Sequence, residues 1–147
     1  MKERKNKKVF IDAPISPFFI ADSIAKHSAK KEIGAHSIFL GQVRNDLING
    51  KETLAIHYTA YQELAEEVFY QIREDSFDKF ELTCLHIYHS LGTVPSGEIC
   101  LFIFTSSPRR AAAMQACEYI VERIKKEVPI WGKEILEDDT YCWKENT

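Results

Sequence analysis

The chain has 147 residues, of which 45% are hydrophobic, and its net charge is −3 from 22 acidic and 19 basic side chains. This length and apolar content suit one globular domain with its own hydrophobic core. A nearly balanced charge creates no overall field that would attract nucleic acid, so any basic site must be local.

The amino-terminal segment begins with a basic head and continues into apolar residues, MKERKNKKVFIDAPISPFF. A secretory signal is not indicated, because Asp12, Pro14 and Pro17 interrupt the apolar run. No stretch is long enough to cross a membrane. We expect residues 1–7 to be a flexible tail, and residues 1–147 to form a single domain, since no repeat or linker divides the sequence.

The first half of the chain alternates strand and helix patterns. Ser16 followed by Pro17 is typical of an N-cap and a first helical position. Asn49-Gly50 within NDLING predicts a tight turn between two strands. The predicted elements are a strand at 8–11, a helix at 17–29, strands at 35–43 and 53–58, and a helix at 60–77 whose apolar stripe is Tyr61, Leu64, Ala65, Val68 and Ile72.

The second half predicts two strands, a long helix and a hairpin. Ser107-Pro108 repeats the cap-plus-proline pattern, and Pro129 ends the helix that follows. The predicted elements are strands at 82–89 and 99–105 joined by the loop SLGTVPSG, a helix at 108–126 with the core-facing stripe Met114, Cys117, Val121, Ile124 and Val128, and strands at 131–136 and 141–143. This order predicts the α+β class, with a mostly antiparallel sheet and helices packed against it.

The four cysteines form no CxxC pair and three of them lie in apolar patterns: Cys84, Cys100, Cys117 and Cys142. They are interpreted as reduced thiols of a cytosolic protein, most of them in the core. Without paired ligand spacing, no zinc site is predicted. No histidine is assigned a ligand role, and no cofactor is expected.

Arg109 and Arg110 fall at the start of the last long helix, where the helix dipole disfavours cations. The same helix end offers unpaired N–H groups that bind anions, and arginine adds a planar fork of donors. A phosphate or carboxylate cradle and a pair of solvated arginines explain this pattern about equally well.

Lys125 and Lys126 lie in the last turn of that helix, where a cation is favoured in any case. Helix capping therefore explains them at least as well as catalysis. Lys125 directly follows apolar Ile124, at the edge of the buried stripe, so its side chain is the one expected to reach a cleft. A candidate anion site then comprises Arg44, Arg109, Arg110, Lys125 and Lys133, but these residues alone do not identify a reaction.

Several segments together resemble the large, catalytic subunit of molybdopterin synthase. They are GAHSIFLGQVRN, HYTAYQELAEE, HSLGTVPSGE, SSPRRAAAMQACEYIVERIKKEVPIWGKE and the closing Tyr-Cys-Trp, in this order over about residues 34–143. The resemblance implies an α/β hammerhead with an additional small antiparallel sheet, consistent with the α+β pattern.

The resemblance also implies a function and partners. The family is a cytoplasmic homodimer, and each large subunit binds a small ubiquitin-like sulfur carrier to give a heterotetramer. The carrier ends in a Gly-Gly thiocarboxylate, and its sulfur converts cyclic pyranopterin monophosphate to molybdopterin in molybdenum cofactor biosynthesis. No metal, nucleic acid or membrane takes part.

Residue by residue, the family motifs assign catalytic roles to Lys125 and Lys133, which the Pro129–Trp131 corner would turn toward one anionic substrate. The carrier tail is expected between Phe39 and Val121. The substrate-binding residues implied by the same motifs are Gln42, Val43, Arg44, Arg109, Arg110, Lys125, Gly132, Lys133 and Glu134.

Two positions depart from the family pattern. Gly132 stands where the family usually has a second active-site lysine, and Lys133, one residue along, would face the other way in an extended segment. Arg109 replaces a histidine and would not exchange protons near neutral pH. These changes leave an alternative open, a non-catalytic dimeric binding module that keeps the carrier groove and phosphate site.

Overall fold

The computed structural model describes residues 8–144 as three helices and eight strands. The elements in chain order are β1 (Phe10–Asp12), α1 (Pro17–Lys26), β2 (Ala35–Gln42), β3 (Leu47–Ile48), β4 (Lys51–Ala60), α2 (Gln62–Lys79), β5 (Cys84–Pro95), β6 (Ile99–Ser107), α3 (Arg110–Glu127), β7 (Ile130–Leu136) and β8 (Tyr141–Trp143).

The strands pair in the order β2-β6-β5-β4-β7-β8, with β1 beside β5 and β3 beside β4. All described pairings are antiparallel except that of β1 with β5. Strand β5 joins two parts of the sheet, because its first half pairs with β6 and its last residues pair with β4. The expected α+β class is confirmed, and β4, β7 and β8 form the additional small antiparallel sheet.

Helices cover both faces of the β2-β6-β5 sheet. Helices α2 and α3 pack on one face through apolar side chains such as Ile72 and Ile120, against Leu85 and Ile103. Helix α1 covers the other face, where Ile20 packs against a smaller cluster around Phe102 and Phe104. Burying each of these large side chains stabilises the fold by roughly 1.5–3 kcal/mol.

Two local sequence signals form as predicted. Ser16 caps α1, since its Oγ accepts a hydrogen bond from the Phe18 backbone N–H at 3.1 Å. Asn49 and Gly50 have φ angles of 51° and 78° and close the β3–β4 hairpin. Both positive φ values match a turn type that favours Asn-Gly.

Other predicted boundaries were wrong. Strand β5 continues to Pro95 through most of the expected SLGTVPSG loop, because its end pairs with β4. Helix α3 begins at Arg110, and Ser107 instead ends β6. The strand predicted at 8–11 begins at Phe10, and α1 ends at Lys26 rather than near residue 29. The expected tail at residues 1–7 lies outside the described residues.

The helix faces also differ from prediction. Met114 is 61% exposed, while Ala113, Ala116 and Ile120 supply the buried stripe of α3 with Cys117 and Ile124. The N-cap residue of α2, Tyr61, is exposed, as is Leu64 in its first turn, and the buried positions of α2 are Ala65, Phe69, Ile72 and Ser76. The sheet sets these faces, and small alanines allow α3 to approach it closely. No helix within residues 8–144 is both long and apolar enough to cross a membrane.

A lysine-lined cleft as candidate active site

A cleft of about 280 Å³ opens where α3 ends and the chain turns into β7. Pro129 forces this turn, because it cannot continue the helix. The lining residues are Tyr58, His89, Ile124, Lys125, Lys126, Val128, Pro129, Ile130, Trp131, Gly132, Trp143 and Lys144. The volume is near the lower end of small-molecule sites.

The floor of the cleft carries two polar rings that burial keeps neutral. Tyr58 and His89 meet edge to face, with ring centroids 5.1 Å apart. Burial, with a smaller contribution from the charge of Lys125, lowers the pKa of His89 to about 4, against the opposing effect of the hydrogen bond to the Ser90 carbonyl. Burial also raises the pKa of Tyr58. Both rings are therefore hydrogen-bonding groups, not charges, at neutral pH.

The cleft is positive. Lys125 and Lys126 come from the last turn of α3, and Lys144 follows β8, where its backbone N–H donates to the Gly132 carbonyl at 2.8 Å. Of the described residues that line the cleft, none is a carboxylate. Three lysines in the lining of one cleft attract an anion, and low-dielectric walls strengthen that attraction.

Gly132 lines the cleft, but Lys133 does not. The Lys133 ammonium lies 4.7 Å from the centroid of the Tyr141 ring, on β8. Strand alternation explains this, because neighbouring residues of β7 point to opposite faces. A Cβ at Gly132 would approach Ile56 and Tyr58 to 3.0 and 3.3 Å, so a longer side chain there requires the Tyr58 ring to move. The expected convergence of Lys125 and Lys133 on one cleft is absent from this chain's described residues.

Arg44 and Glu134 lie close enough to interact electrostatically. Arg44 donates to Asp46 at 2.6 and 3.1 Å, which raises the arginine pKa, and Glu134 adds to the effect. Glu134 is 5% exposed, and its Oε1 has no hydrogen-bond partner within the described chain. Its Oε2 accepts from the Cys142 thiol at 3.6 Å. Glu134 thus places a carboxylate near Arg44 without a direct hydrogen bond to it in the described chain.

The remaining predicted residues occupy several places. Gln42 is exposed at the end of β2, and Val43 is buried beside it. Phe39 and Val121 are half-buried and pack against the main core, so their expected role at the carrier tail remains a prediction. Neither lines the cleft.

Arg109 and Arg110 are exposed at the opposite end of α3 from Lys125. About 15 residues, and therefore roughly 22 Å of helix axis, separate Arg110 from Lys125. One chain cannot direct both side chains at the same small anion.

Sequence reasoning missed three polar groups of the cleft: Tyr58, His89 and Lys144. Tyr58 and His89 are brought together by the pairing of β4 and β5 and by the position of α3, which no local pattern encodes. The resemblance ended at Tyr-Cys-Trp, one residue before Lys144. The only local sign of a role for Lys144 was its position as a cation directly after a predicted strand. Arg44 has the same kind of position after the strand predicted at 35–43.

The fold and the cleft define a class: an α+β protein with a lysine-lined cleft of small-molecule size. The chain belongs to the MoaE protein family, whose model matches residues 14–127. A relative from Bacillus subtilis (strain 168), named molybdopterin synthase catalytic subunit, is 43% identical over 117 residues, which cover 80% of this chain and 74% of the relative.

Solved structures agree with this membership. The crystal structure of molybdopterin synthase from Staphylococcus aureus superposes with a TM-score of 0.81 at 34% identity, covering 93% of this chain and 96% of that chain. The complex of subunits 1 and 2 of molybdopterin-converting factor from Helicobacter pylori gives a TM-score of 0.80, covering 93% and 89%. At 20% identity, this second likeness establishes the fold alone.

Proposed function

We propose that this chain is the catalytic subunit of a molybdopterin synthase. In this role it is a sulfurtransferase that converts cyclic pyranopterin monophosphate to molybdopterin. The sulfur comes from the C-terminal thiocarboxylate of a small ubiquitin-like carrier. The relatives with this name support the proposal.

The observation that carries the proposal is the cleft at Lys125. Its charged lining groups in the described chain are all lysines, and its size suits a small phosphorylated ligand better than a polymer. Ammonium groups fixed around an anion stabilise negative charge that develops on it during reaction. The same cleft admits a thiocarboxylate, which is also an anion.

The chemistry assigned to the cleft is sulfur transfer with phosphate-ring opening. Each thiocarboxylate sulfur bonds to a substrate carbon as a carbon–oxygen bond of that carbon breaks, and water then hydrolyses the resulting thioester, which leaves the sulfur on the substrate and a carboxylate on the carrier. At one carbon the leaving oxygen belongs to the cyclic phosphate, whose ring opens, and at the other carbon the oxygen leaves as water. Two carriers supply the two sulfurs of the dithiolene. Lys125 stabilises the developing charge and moves protons, and neutral His89 and Tyr58 offer hydrogen bonds to the substrate.

Lys144, rather than Lys133, is our candidate for the second cation of the site. Lys144 lines the cleft, whereas the Lys133 ammonium lies over the Tyr141 ring. The family usually has a lysine where this chain has Gly132, so one cation of the family pattern is missing at this cleft. The Lys144 backbone N–H donates a hydrogen bond to the Gly132 carbonyl. Lys144 therefore supplies the missing charge from the residue that follows β8.

The proposed assembly is a dimer of this chain with one carrier on each copy. Trp131 and Trp143 are 52% and 60% exposed beside the cleft, and exposed aromatic side chains are typical of protein interfaces. A second copy would supply Arg109 and Arg110 to the site, since these lie too far from Lys125 within one chain. The free thiols agree with a reducing compartment, and we assign the protein to the cytoplasm.

A second candidate function is a dimeric binding module without catalytic activity. Gly132 and the turned-away Lys133 favour it, because together they leave only Lys125 of the two catalytic lysines implied by the family. In this alternative, the carrier still docks beside the tryptophans and the anion still binds, but no sulfur is transferred.

A single-turnover assay tests the proposal. Purified protein, thiocarboxylated carrier and cyclic pyranopterin monophosphate are mixed, and the oxidised dithiolene product is measured for wild type and Lys125→Ala. We expect product from wild type and a loss of about 10²–10³-fold in Lys125→Ala, typical of removing a group that stabilises a transition state.

Carrier binding, measured in parallel by calorimetry, is the control. The expected result is equal carrier affinity for both proteins. Wild type that binds the carrier but forms no product would establish the binding module instead. Equal product from both proteins would show that Lys125 has no catalytic role.

A further inference from the structure

A second cluster of reactive side chains lies on the sheet face opposite the main core. Cys84 and His86 alternate along β5 with buried Leu85 and Ile87, so they project toward the face that α1 covers. His27 follows the last turn of α1 and is 8% exposed. The fold thus joins residues that are far apart in the sequence, and the proposed sulfur transfer uses none of them.

The ligand-type atoms of this cluster converge. The Nε2 atoms of His27 and His86 are 3.0 Å apart. One ring nitrogen of each histidine and the Cys84 Sγ all lie within 4.8 Å of one another. Two imidazoles and a thiol are the donor set that zinc prefers. Tetrahedral zinc with bonds of about 2.0–2.1 Å to nitrogen separates two such nitrogens by roughly 3.3 Å, only a few tenths more than here.

The surroundings also orient the donors. His27 Nδ1–H donates to the Ser23 carbonyl at 2.7 Å, which leaves its Nε2 with a lone pair directed at His86. Such a bond to the second ring nitrogen is typical of metal-binding histidines. The Lys30 ammonium donates to the Cys84 Sγ at 2.9 Å. This hydrogen bond fixes the sulfur beside the two imidazoles.

We propose that His27, Cys84 and His86 together bind one zinc-class divalent ion. The ion would tie the end of α1 to strand β5 and so fix the connection that leads into β2. Its role is structural, since the cluster lies on the other face of the sheet from His89 and the cleft. This proposal departs from the expectation that no histidine is a ligand.

Titration with Co²⁺ and Zn²⁺ on the purified, metal-free full chain tests the site. Co²⁺ reports its own ligands, because a thiolate bound to it gives a charge-transfer absorption. We expect one Co²⁺ per chain with this absorption, and its displacement by Zn²⁺. Zinc at 100 times its dissociation constant should raise the Tm by about 5–10 °C.

Variants identify the ligands. Cys84→Ser keeps the size and the hydrogen bond to Lys30 but should lose the charge-transfer absorption and weaken Zn²⁺ binding at least tenfold. His86→Gln should weaken Zn²⁺ binding by a similar factor. This variant tests the site if Cys84→Ser does not fold. His57→Gln removes a histidine of β4 that bonds to Thr93, and should bind metal as wild type does.

Absence of the charge-transfer absorption in wild type would overturn the proposal. So would unchanged metal binding in folded Cys84→Ser or His86→Gln, which would assign the metal to other surface groups. Because the readouts are absorption and thermal stability, failure of this site leaves the proposed sulfurtransferase function unaffected.

Discussion

At the residue scale, the cleft depends on which side chain of a strand faces it. Gly132 faces the cleft without a side chain, and Lys133 faces away toward Tyr141. Lys144 reaches the same volume from the end of β8. In the proposed site, Lys144 therefore supplies a charge that Gly132 cannot supply.

We predict that Lys144→Ala lowers the single-turnover rate by about 10–100-fold, the usual loss of one charged hydrogen bond to an anion. Lys133→Ala is the matched control on the neighbouring strand, and it should stay within about threefold of wild type. A large loss of rate in Lys133→Ala, with none in Lys144→Ala, would mean that β7 changes conformation when substrate binds, so that Lys133 faces the cleft.

His89 should make stability depend on pH. Its pKa is about 4 in the folded chain, below the ordinary value of 6.5, so the unfolded chain binds the extra proton between these values. The contribution that neutral His89 makes to the free energy of unfolding is fully present above about pH 6.5, and it is lost as the pH falls toward 4. From pH 7 to 4.5 this loss is about 2 kcal/mol.

Urea unfolding of wild type and His89→Gln at pH 7 and 4.5 measures the pH-dependent contribution of His89 to the free energy of unfolding. Glutamine keeps an N–H donor for the Ser90 carbonyl but does not titrate. The drop in free energy of unfolding on acidification should be about 2 kcal/mol smaller in the variant. Equal drops in both proteins would show that His89 is not held neutral by burial.

At the scale of elements, the start of β2 packs directly against the turn that leads into α3. Gly34 donates its N–H to the Ser107 carbonyl at 3.0 Å, and a Cβ at Gly34 would come to 2.1 Å from the Pro108 carbonyl oxygen. Only glycine allows this approach of two backbones. The contact sets where α3 begins, and hence where Arg109 and Arg110 lie.

Gly34→Ala should therefore lower the free energy of unfolding by about 1–3 kcal/mol, the usual cost of inserting a methyl group into a packed site. Thermal unfolding measures it, with the nearby exposed Glu32→Ala as control, for which we expect less than about 0.5 kcal/mol. A Gly34→Ala protein as stable as the control would mean that the two backbones separate at little cost.

At the scale of the whole molecule, one chain holds two halves of the proposed site at opposite ends of α3. Lys125 lies at the carboxyl end and Arg110 at the amino end. In a dimer with twofold symmetry, the same two surfaces meet twice, so each site would combine Lys125 of one copy with Arg110 of the other.

Mixing two inactive variants tests this arrangement. Lys125→Ala and Arg110→Ala should each be nearly inactive alone, but a mixed dimer regains one intact site of two. After complete exchange of a 1:1 mixture, half of the dimers are mixed, so about a quarter of wild-type activity should return. No recovery, despite mixed dimers seen by mass spectrometry, would show that each site uses a single chain.

Local sequence patterns predicted those features that neighbouring residues determine. The Ser16 cap, the Asn49-Gly50 turn and the end of α3 before Pro129 all formed where expected. The continuation of β5 to Pro95 and the exposed side of Met114 were not predictable in this way, because pairing with β4 and packing on the sheet determine them.

The sequence by itself determined the α+β class and the family and predicted a role for Lys125, because short-range periodicity and motif order are properties of the chain alone. Only the tertiary structure decided that Lys144 and His89 share the cleft with Lys125, that Lys133 does not, and that His27 meets Cys84 and His86. The physical reason is that strand pairing and helix packing join residues across long sequence separations, while strand alternation directs each side chain to one face.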